Sequence, residues 1–206
     1  MKVLVASRNA KKLEEMRRIL AEHLEGGHGV EVVGLDDVEP FEEPVEDEPT
    51  FEGNALLKAR AGVAATGLPT IADDSGLCVD ALNGMPGVLS ARWSGPGPAE
   101  TKDARNNELL LAQLGDVPDD RRGAHFTCAV AVVHPDGREI VVEGRMDGRV
   151  IREVRGSGGF GYDVLFVADE FPDRTTAELS REDKDAISHR GKALREVAPL
   201  VAQMLR

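Results

Sequence analysis

Two adjacent carboxylates, Asp73 and Asp74, stand in Ala72-Asp73-Asp74-Ser75-Gly76, directly after the short apolar run Thr70-Ile71-Ala72. A carboxylate at a strand end is a hard oxygen ligand for Mg²⁺, an ion that takes one or two such groups, keeps several waters and completes its shell with substrate phosphates. Alternation along an extended chain sends the two acids to opposite sides, so at most one of them faces a cleft directly. An Asx-type turn held by side-chain to backbone hydrogen bonds is the alternative. Ser7-Arg8-Asn9-Ala10-Lys11-Lys12 joins an apolar run to a helical pattern. Backbone N–H groups, the positive end of a helix dipole, a hydroxyl, an amide and Lys12 there suit phosphate oxygens, although plain helix capping uses the same residue types. It is not a P-loop, since the glycines and the Gly-Lys-Ser/Thr ending are missing.

Gly156-Ser157-Gly158-Gly159-Phe160-Gly161 fits the GxGxxG pattern, yet Tyr162 to Val167 after it reads as a strand, where a dinucleotide fingerprint opens a helix. The glycines suit a main chain that approaches a ligand while Phe160 and Tyr162 offer aromatic faces to a base; a flexible hairpin loop is the plainer reading. Ser188-His189-Arg190-Gly191, with Lys184 five residues before His189, gathers donors for a phosphate and for the carbonyl edge of a base, against ordinary helix-end charge as the alternative. His23, His28, His125 and His134 lack metal-ligand spacing, and no Ser/His/Asp or Cys/His set declares a covalent nucleophile.

These groups need elements to hold them. Val3 to Ala6 predicts a strand, and Leu13, Met16, Leu20 and Leu24 recur at helical spacing over Lys11 to Leu24, before Gly26-Gly27-His28-Gly29 stops the helix. Val30 to Val33 predicts a second short strand. From Asp36 to Glu52 there are nine Asp or Glu, three prolines and no Lys or Arg, which argues for an acidic loop, one of whose acids could complete a metal site. Thr50 caps a predicted helix from Phe51 to Thr66 ended by Gly67, and a further helix is predicted over Glu100 to Leu114. After the acids, Leu77-Cys78-Val79 resumes an extended pattern up to the turn-rich Asn83 to Gly87. His125 to Val133 and Arg138 to Glu143 flank Pro135-Asp136-Gly137 as a hairpin. Ser180 and Asp183 suggest a capped helical segment, and Lys192 to Leu205 a terminal helix. Strands alternate with helices around one hairpin, which fits a single mixed-sheet α/β domain over residues 1–206.

The 206 residues are 41% hydrophobic and 30% charged, a globular composition. A net charge of −12 opposes attachment to a nucleic-acid backbone or an anionic membrane, so an anionic substrate must be met by locally gathered Lys and Arg. Cys78 and Cys128 lie in apolar contexts without CxxC spacing and read as two buried thiols. The first residues turn polar too soon for a signal-peptide core, and the longest apolar run is too short to span a bilayer, so the cytoplasm is the expected compartment.

Taken together the motifs resemble the inosine triphosphate pyrophosphatase family, which hydrolyses dITP, ITP and XTP to the monophosphate and pyrophosphate. The resemblance rests on six segments in family order: Ser7 to Lys12; Thr50-Phe51-Glu52-Gly53-Asn54-Ala55 with Lys58-Ala59; Ala72 to Leu77; Gly87-Val88 through Ser90-Ala91-Arg92; Phe160-Gly161-Tyr162-Asp163; and Ser188 to Ala193. It implies a long mixed twisted sheet flanked by helices, in two lobes with a substrate cleft between them, usually a homodimer. It implies that Ser7, Arg8, Asn9, Ala10, Lys11 and Lys12 form the phosphate-binding turn, that Asp74 is the catalytic carboxylate and a Mg²⁺ ligand with Glu46, and that Ser75 contacts substrate. Lys58 would neutralise phosphate charge, and Phe160, Gly161, Tyr162, Asp163, Lys184, His189 and Arg190 would form the nucleoside and phosphate pocket. Arg190, which can only donate, is expected to read the 6-carbonyl of hypoxanthine or xanthine and to disfavour adenine. The chain departs from the family pattern at Gly53, where an acid is usual, and at Glu46-Asp47-Glu48-Pro49, where Glu-Thr-Gly is frequent. A pyrophosphatase of related fold for pyrimidine or modified nucleotides and a catalytically silent nucleotide sensor are the rival functions.

Overall fold

Six strands form one sheet in the order β2-β1-β3-β4-β5-β6, where β1 is Lys2–Val5, β2 Glu31–Val33, β3 Thr70–Val79, β4 Gly123–Val133, β5 Glu139–Val150 and β6 Phe166–Ala168. β1 runs parallel to both β2 and β3, whereas β5 and β6 are antiparallel, so the sheet is mixed. Among the described residues five α-helices accompany it: α1 Ala10–Leu24, α2 Phe51–Thr66, α3 Lys102–Gln113, α4 Arg181–Ile187 and α5 His189–Met204. The structure is a computed structural model and describes residues 2–24 and 30–205, with the side chains of all of these except 11 and 21–24. The glycine stop expected at Gly26 to Gly29 lies outside the described residues.

The chain divides into two compact units, Met1–Asp74 with Cys128–Gly144 and Arg190–Arg206, and Ser75–Thr127 with Arg145–His189. In the first unit Val3, Val5, Ile71, Val130 and Val132 pack with Met16, Leu20, Leu194, Val197 and Val201, the apolar stripes of α1 and α5. A second cluster there is built from Ala6, Ala55, Ala59, Ala72, Ala129 and Ala131. Small side chains on both partners let the α2 backbone approach the strands closely, which sets the depth of the polar groups at its start. The second unit has its own core, in which Leu77, Leu110, Leu114, Phe126, Met146, Leu165 and Phe166 are buried together.

The hydrophobic periodicities locate the elements well, with corrections where tertiary pairing wins. Asp73 and Asp74 fall inside a continuous ten-residue β3 and not at the end of a short strand. Residues expected as a strand from Tyr162 make turns as far as Leu165, and only Phe166–Ala168 pairs. β5 runs on to Val150, past the expected end at Glu143, because pairing with β6 continues it. The terminal helix begins at His189, three residues earlier than its apolar spacing suggests. Cys128 is buried as expected, but Cys78 is only half-buried. The acidic loop holds a single 3-10 turn, Leu35–Asp37, before α2.

The Thr50 hydroxyl accepts the Gly53 N–H at 3.0 Å, closing the first turn of α2. Thr50→Ala should lower unfolding stability by about 1 kcal/mol, read as a shift of the urea midpoint at constant slope. An unchanged midpoint would show that packing alone holds this helix start.

Candidate active site

Adjacent positions on β3 send the two carboxylates to different surroundings. Asp73, 2% exposed, takes Lys12 Nζ at 3.0 Å and Arg190 Nε at 3.2 Å on the same oxygen, Oδ2. Arg190, also 2% exposed, sends Nη1 to Glu15 Oε2 at 2.6 Å. Lys12, Asp73, Arg190 and Glu15 therefore form a charge-balanced chain of two cations and two anions. Burial by itself would push Asp73 up, but Lys12, Arg190 and Lys58 outweigh it and hold the carboxyl well below its ordinary range. The Cys128 thiol lies 3.8 Å from Asp73, and burial with that carboxylate beside it raises the thiol far above its usual value.

Asp74 is 6% exposed and accepts Asn54 Nδ2 at 3.0 Å. Burial raises its proton affinity, with the nearby Glu46 adding to it, against the opposing pull of Lys58 and the Asn54 hydrogen bond. Asn54 reaches Asp74 from the first turn of α2, and its Oδ1 accepts the Glu48 N–H at 3.1 Å, so one amide ties the acidic loop to the β3 carboxylate. Gly53 explains the departure from the family pattern: a Cβ there would lie 2.8 Å from Glu48 Cβ, so the loop occupies the space a side chain would need. Lys58, one turn after Asn54, pairs with Glu46 at 3.0 Å. Asp74 feels the charges of both Glu46 and Lys58, and its carboxylate and that of Glu46 are hard oxygen donors of the kind a divalent cation takes. Among the described residues no group of three or more His, Cys, Asp or Glu could hold a metal, so such an ion would take water or phosphate oxygens for the rest of its shell.

The turn before α1 is polar and largely exposed, with Ser7 half-buried and Arg8, Asn9 and Ala10 exposed. Asn9 caps α1, its Oδ1 accepting the Lys12 N–H at 3.3 Å, and Arg8 pairs with Glu43 of the acidic loop. Lys11 lies in α1, but its side chain is outside those described.

Ser75, Phe160, Gly161, Tyr162, Asp163, Lys184 and His189 belong to the second unit. Asp163 is the hub: its Oδ2 accepts Lys184 Nζ at 2.6 Å and the Phe160 N–H at 2.8 Å, and its Oδ1 accepts Thr176 Oγ1 at 2.9 Å. Lys184 Nζ also sits 5.3 Å from the centre of the Phe160 ring. The glycines that suggested close approach to a ligand in fact approach the protein itself: a Cβ on Gly159 would overlap the Asp163 carboxylate, and one on Gly158 would meet the Ala177 carbonyl at 2.6 Å. His189 is buried and stacks on Phe126 with ring centres 4.9 Å apart.

Two side chains expected to face the base are buried and paired within their own units. Tyr162 offers no ring face to a base, because it is 4% exposed within the second unit's core and its hydroxyl donates to the Ser90 carbonyl at 2.9 Å. The Arg190 guanidinium is buried in the first unit, where it pairs with Asp73 and Glu15. The unit boundary separates it from His189, its neighbour in sequence.

Sequence reasoning gave no individual role to four residues that organise these groups: Glu15, Asn54 (quoted only as part of a motif), Asp103 and Thr176. Glu15 stands three residues after Lys12, on the same helical face, and a buried-face Asn in α2 was the signal for Asn54. Asp103 accepts the Gly161 N–H, and neither it nor Thr176 carries a local signal, since their partners lie 58 and 13 residues away.

A model of the Ham1 family matches residues 3–200. A dITP/XTP pyrophosphatase of Nocardia farcinica is 61% identical over 203 residues, 98% of this chain and 96% of its own. Among solved structures, a nucleoside-triphosphatase/dITP/XTP pyrophosphatase of Mycobacterium abscessus matches 97% of this chain and 100% of its own at 57% identity, with a TM-score of 0.78. The Ham1 protein of Staphylococcus aureus matches 99% and 100% at 35% identity, with a TM-score of 0.85. Among the described residues no helix is long and apolar enough to cross a membrane.

Proposed function

The chain belongs to the Ham1 family, and from that premise we propose that it hydrolyses non-standard purine nucleoside triphosphates, dITP, ITP and XTP, to the monophosphate and pyrophosphate. The observation that carries this reading is the division of labour on β3: one carboxylate tied into a buried ion chain with the turn lysine, the next raised in proton affinity beside a second acid. Such an arrangement suits phosphoanhydride hydrolysis, which needs dispersed negative charge to be offset and a water to be aligned.

In this reading Ser7 to Lys12 and Lys58 receive the phosphates, with Lys12 held in place by Asp73. Asp74 and Glu46 would hold Mg²⁺, which supplies charge neutralisation and Lewis-acid polarisation at the phosphates. Asp74 also orients the attacking water, its raised proton affinity suiting it to accept a hydrogen bond from that water, while Asn54 fixes its second oxygen. Phe160 presents its ring to the base, with Ser75, Gly161, Asp163 and His189 around the nucleoside. Lys184 takes the donor role first expected of Arg190, because its ammonium sits beside that ring. We take residues 1–206 as one nucleoside triphosphate pyrophosphatase domain, working as a homodimer in the cytoplasm.

Hypoxanthine and xanthine present a 6-carbonyl acceptor, whereas adenine presents an amino donor there. Against a lysine that only donates, the adenine mismatch should cost about 1–3 kcal/mol, or roughly 10-fold to 100-fold in kcat/KM. Pyrophosphate release measured with Mg²⁺ over ITP, dITP, XTP, ATP, GTP and dTTP tests the reading. ITP, dITP and XTP should lead. ATP turned over as readily as ITP would overturn the base assignment, a preference for dTTP would favour the pyrimidine enzyme, and binding without release would favour the sensor.

A further inference from the structure

Helix α3 carries no residue of the proposed site, yet two of its side chains, one turn apart, hold the loop that bears Phe160. Asp103 Oδ2 accepts the Gly161 N–H at 2.7 Å, and Asn107 Nδ2 donates to the Gly161 carbonyl at 2.9 Å. The first bond fixes the peptide plane between Phe160 and Gly161, and the second fixes the plane between Gly161 and Tyr162. Gly161 has φ +61, a conformation that costs a side-chain-bearing residue strain, while the space where a Cβ would point is open. The glycine thus serves a backbone shape, and α3 is what holds that shape.

Asn107 is 5% exposed and also donates to the Asp103 carbonyl at 2.9 Å, yet its Oδ1 is buried with no hydrogen-bond partner among the described residues. A buried acceptor left unsatisfied lowers stability, so an asparagine here is poorly accounted for by stability alone. Phe160 is held from its other side by Asp163, which accepts its N–H at 2.8 Å.

We propose that Asp103 and Asn107 are positioning residues for base recognition, clamping both peptide planes of Gly161 so that the Phe160 ring is presented in one orientation to the purine. This rests on the reading of Phe160 and Lys184 as the base pocket. The pair touches neither phosphate nor reacting atoms, so its loss weakens ground-state and transition-state binding equally, raising KM and leaving kcat alone.

The experiment compares wild type, Asp103→Ala, Asp103→Asn and Asn107→Ser in steady-state pyrophosphate release from ITP, and measures inosine monophosphate affinity by calorimetry and the thermal midpoint. Asparagine keeps an acceptor for the Gly161 N–H, whereas alanine removes it. Asp103→Ala should raise KM for ITP by about 10-fold, with kcat within about twofold, and weaken inosine monophosphate to a similar degree, and Asp103→Asn should recover most of that loss. Asn107→Ser should move KM in the same direction, and it carries the test if Asp103→Ala does not fold. An unchanged KM in Asp103→Ala, an Asn variant as impaired as the Ala variant, or a fall in kcat and thermal midpoint without a change in KM would overturn the proposal. A wild type that binds inosine monophosphate but releases no pyrophosphate would sink the hydrolase reading while leaving the clamp measurable through that affinity.

Discussion

Asp74→Asn is expected to cut pyrophosphate release by about 100-fold to 1,000-fold or more while leaving the fold intact. The amide keeps the volume of the carboxylate, and its oxygen can still accept Asn54 Nδ2, now 3.0 Å away, so the link between α2 and β3 survives. What disappears is the negative charge that would hold a divalent cation beside Glu46 and orient water. Burial already disfavours the ionised form of Asp74, so a neutral group there relieves a desolvation cost, and the thermal midpoint should stay level or rise slightly. Activity and calorimetry on the same preparation check both halves. Turnover close to wild type with an intact unfolding transition would remove Asp74 from the mechanism. Loss of both would make its role structural.

Arg190→Ala is expected to behave in the opposite sense, destabilising the protein by about 3–5 kcal/mol and leaving the ratio of ITP to ATP turnover of the remaining folded protein unchanged. The guanidinium neutralises Asp73 and Glu15 together, and its removal leaves two buried or half-buried carboxylates short of one cation, with Lys12 still paired to Asp73. Adding Glu15→Gln to Arg190→Ala should recover part of the loss, since one of the two carboxylate charges that the guanidinium had neutralised is then gone. The pH dependence follows from Asp73. Its proton affinity is lower folded than unfolded, so its stabilising contribution is full above the ordinary carboxylate range and drains away as pH falls below that range. Arg190→Ala should therefore have a shallower acid limb in a plot of stability against pH. A stable Arg190→Ala whose selectivity narrows would return the arginine to the base pocket.

Much of the local structure was legible in the chain. The Thr50 cap and Gly67 stop of α2, the hairpin turn at Pro135-Asp136-Gly137 and the Ser180 cap of α4, where Oγ accepts the Asp183 N–H at 3.1 Å, depend on residues within four positions of each other. Local chemistry of this kind is written in the sequence directly. The Tyr162 strand failed because apolar content cannot distinguish a paired strand from a core-facing turn: Tyr162 and Leu165 are buried, but only Phe166–Ala168 finds partners.

The sequence by itself determined which chemistry is available: two adjacent acids of opposite facing, a polar turn before a basic helix, an aromatic held among glycines, and six motifs in an order specific enough to name a family. The tertiary structure decided which charges meet. Asp73 lies 61 residues from Lys12 and 117 from Arg190, and nothing in the local pattern of any of the three announces the others. An arginine reads in sequence as a donor open to any acceptor. Buried beside two carboxylates it must satisfy them, because an ion taken out of water is stable only when paired, and that requirement makes the arginine a keystone of the first unit.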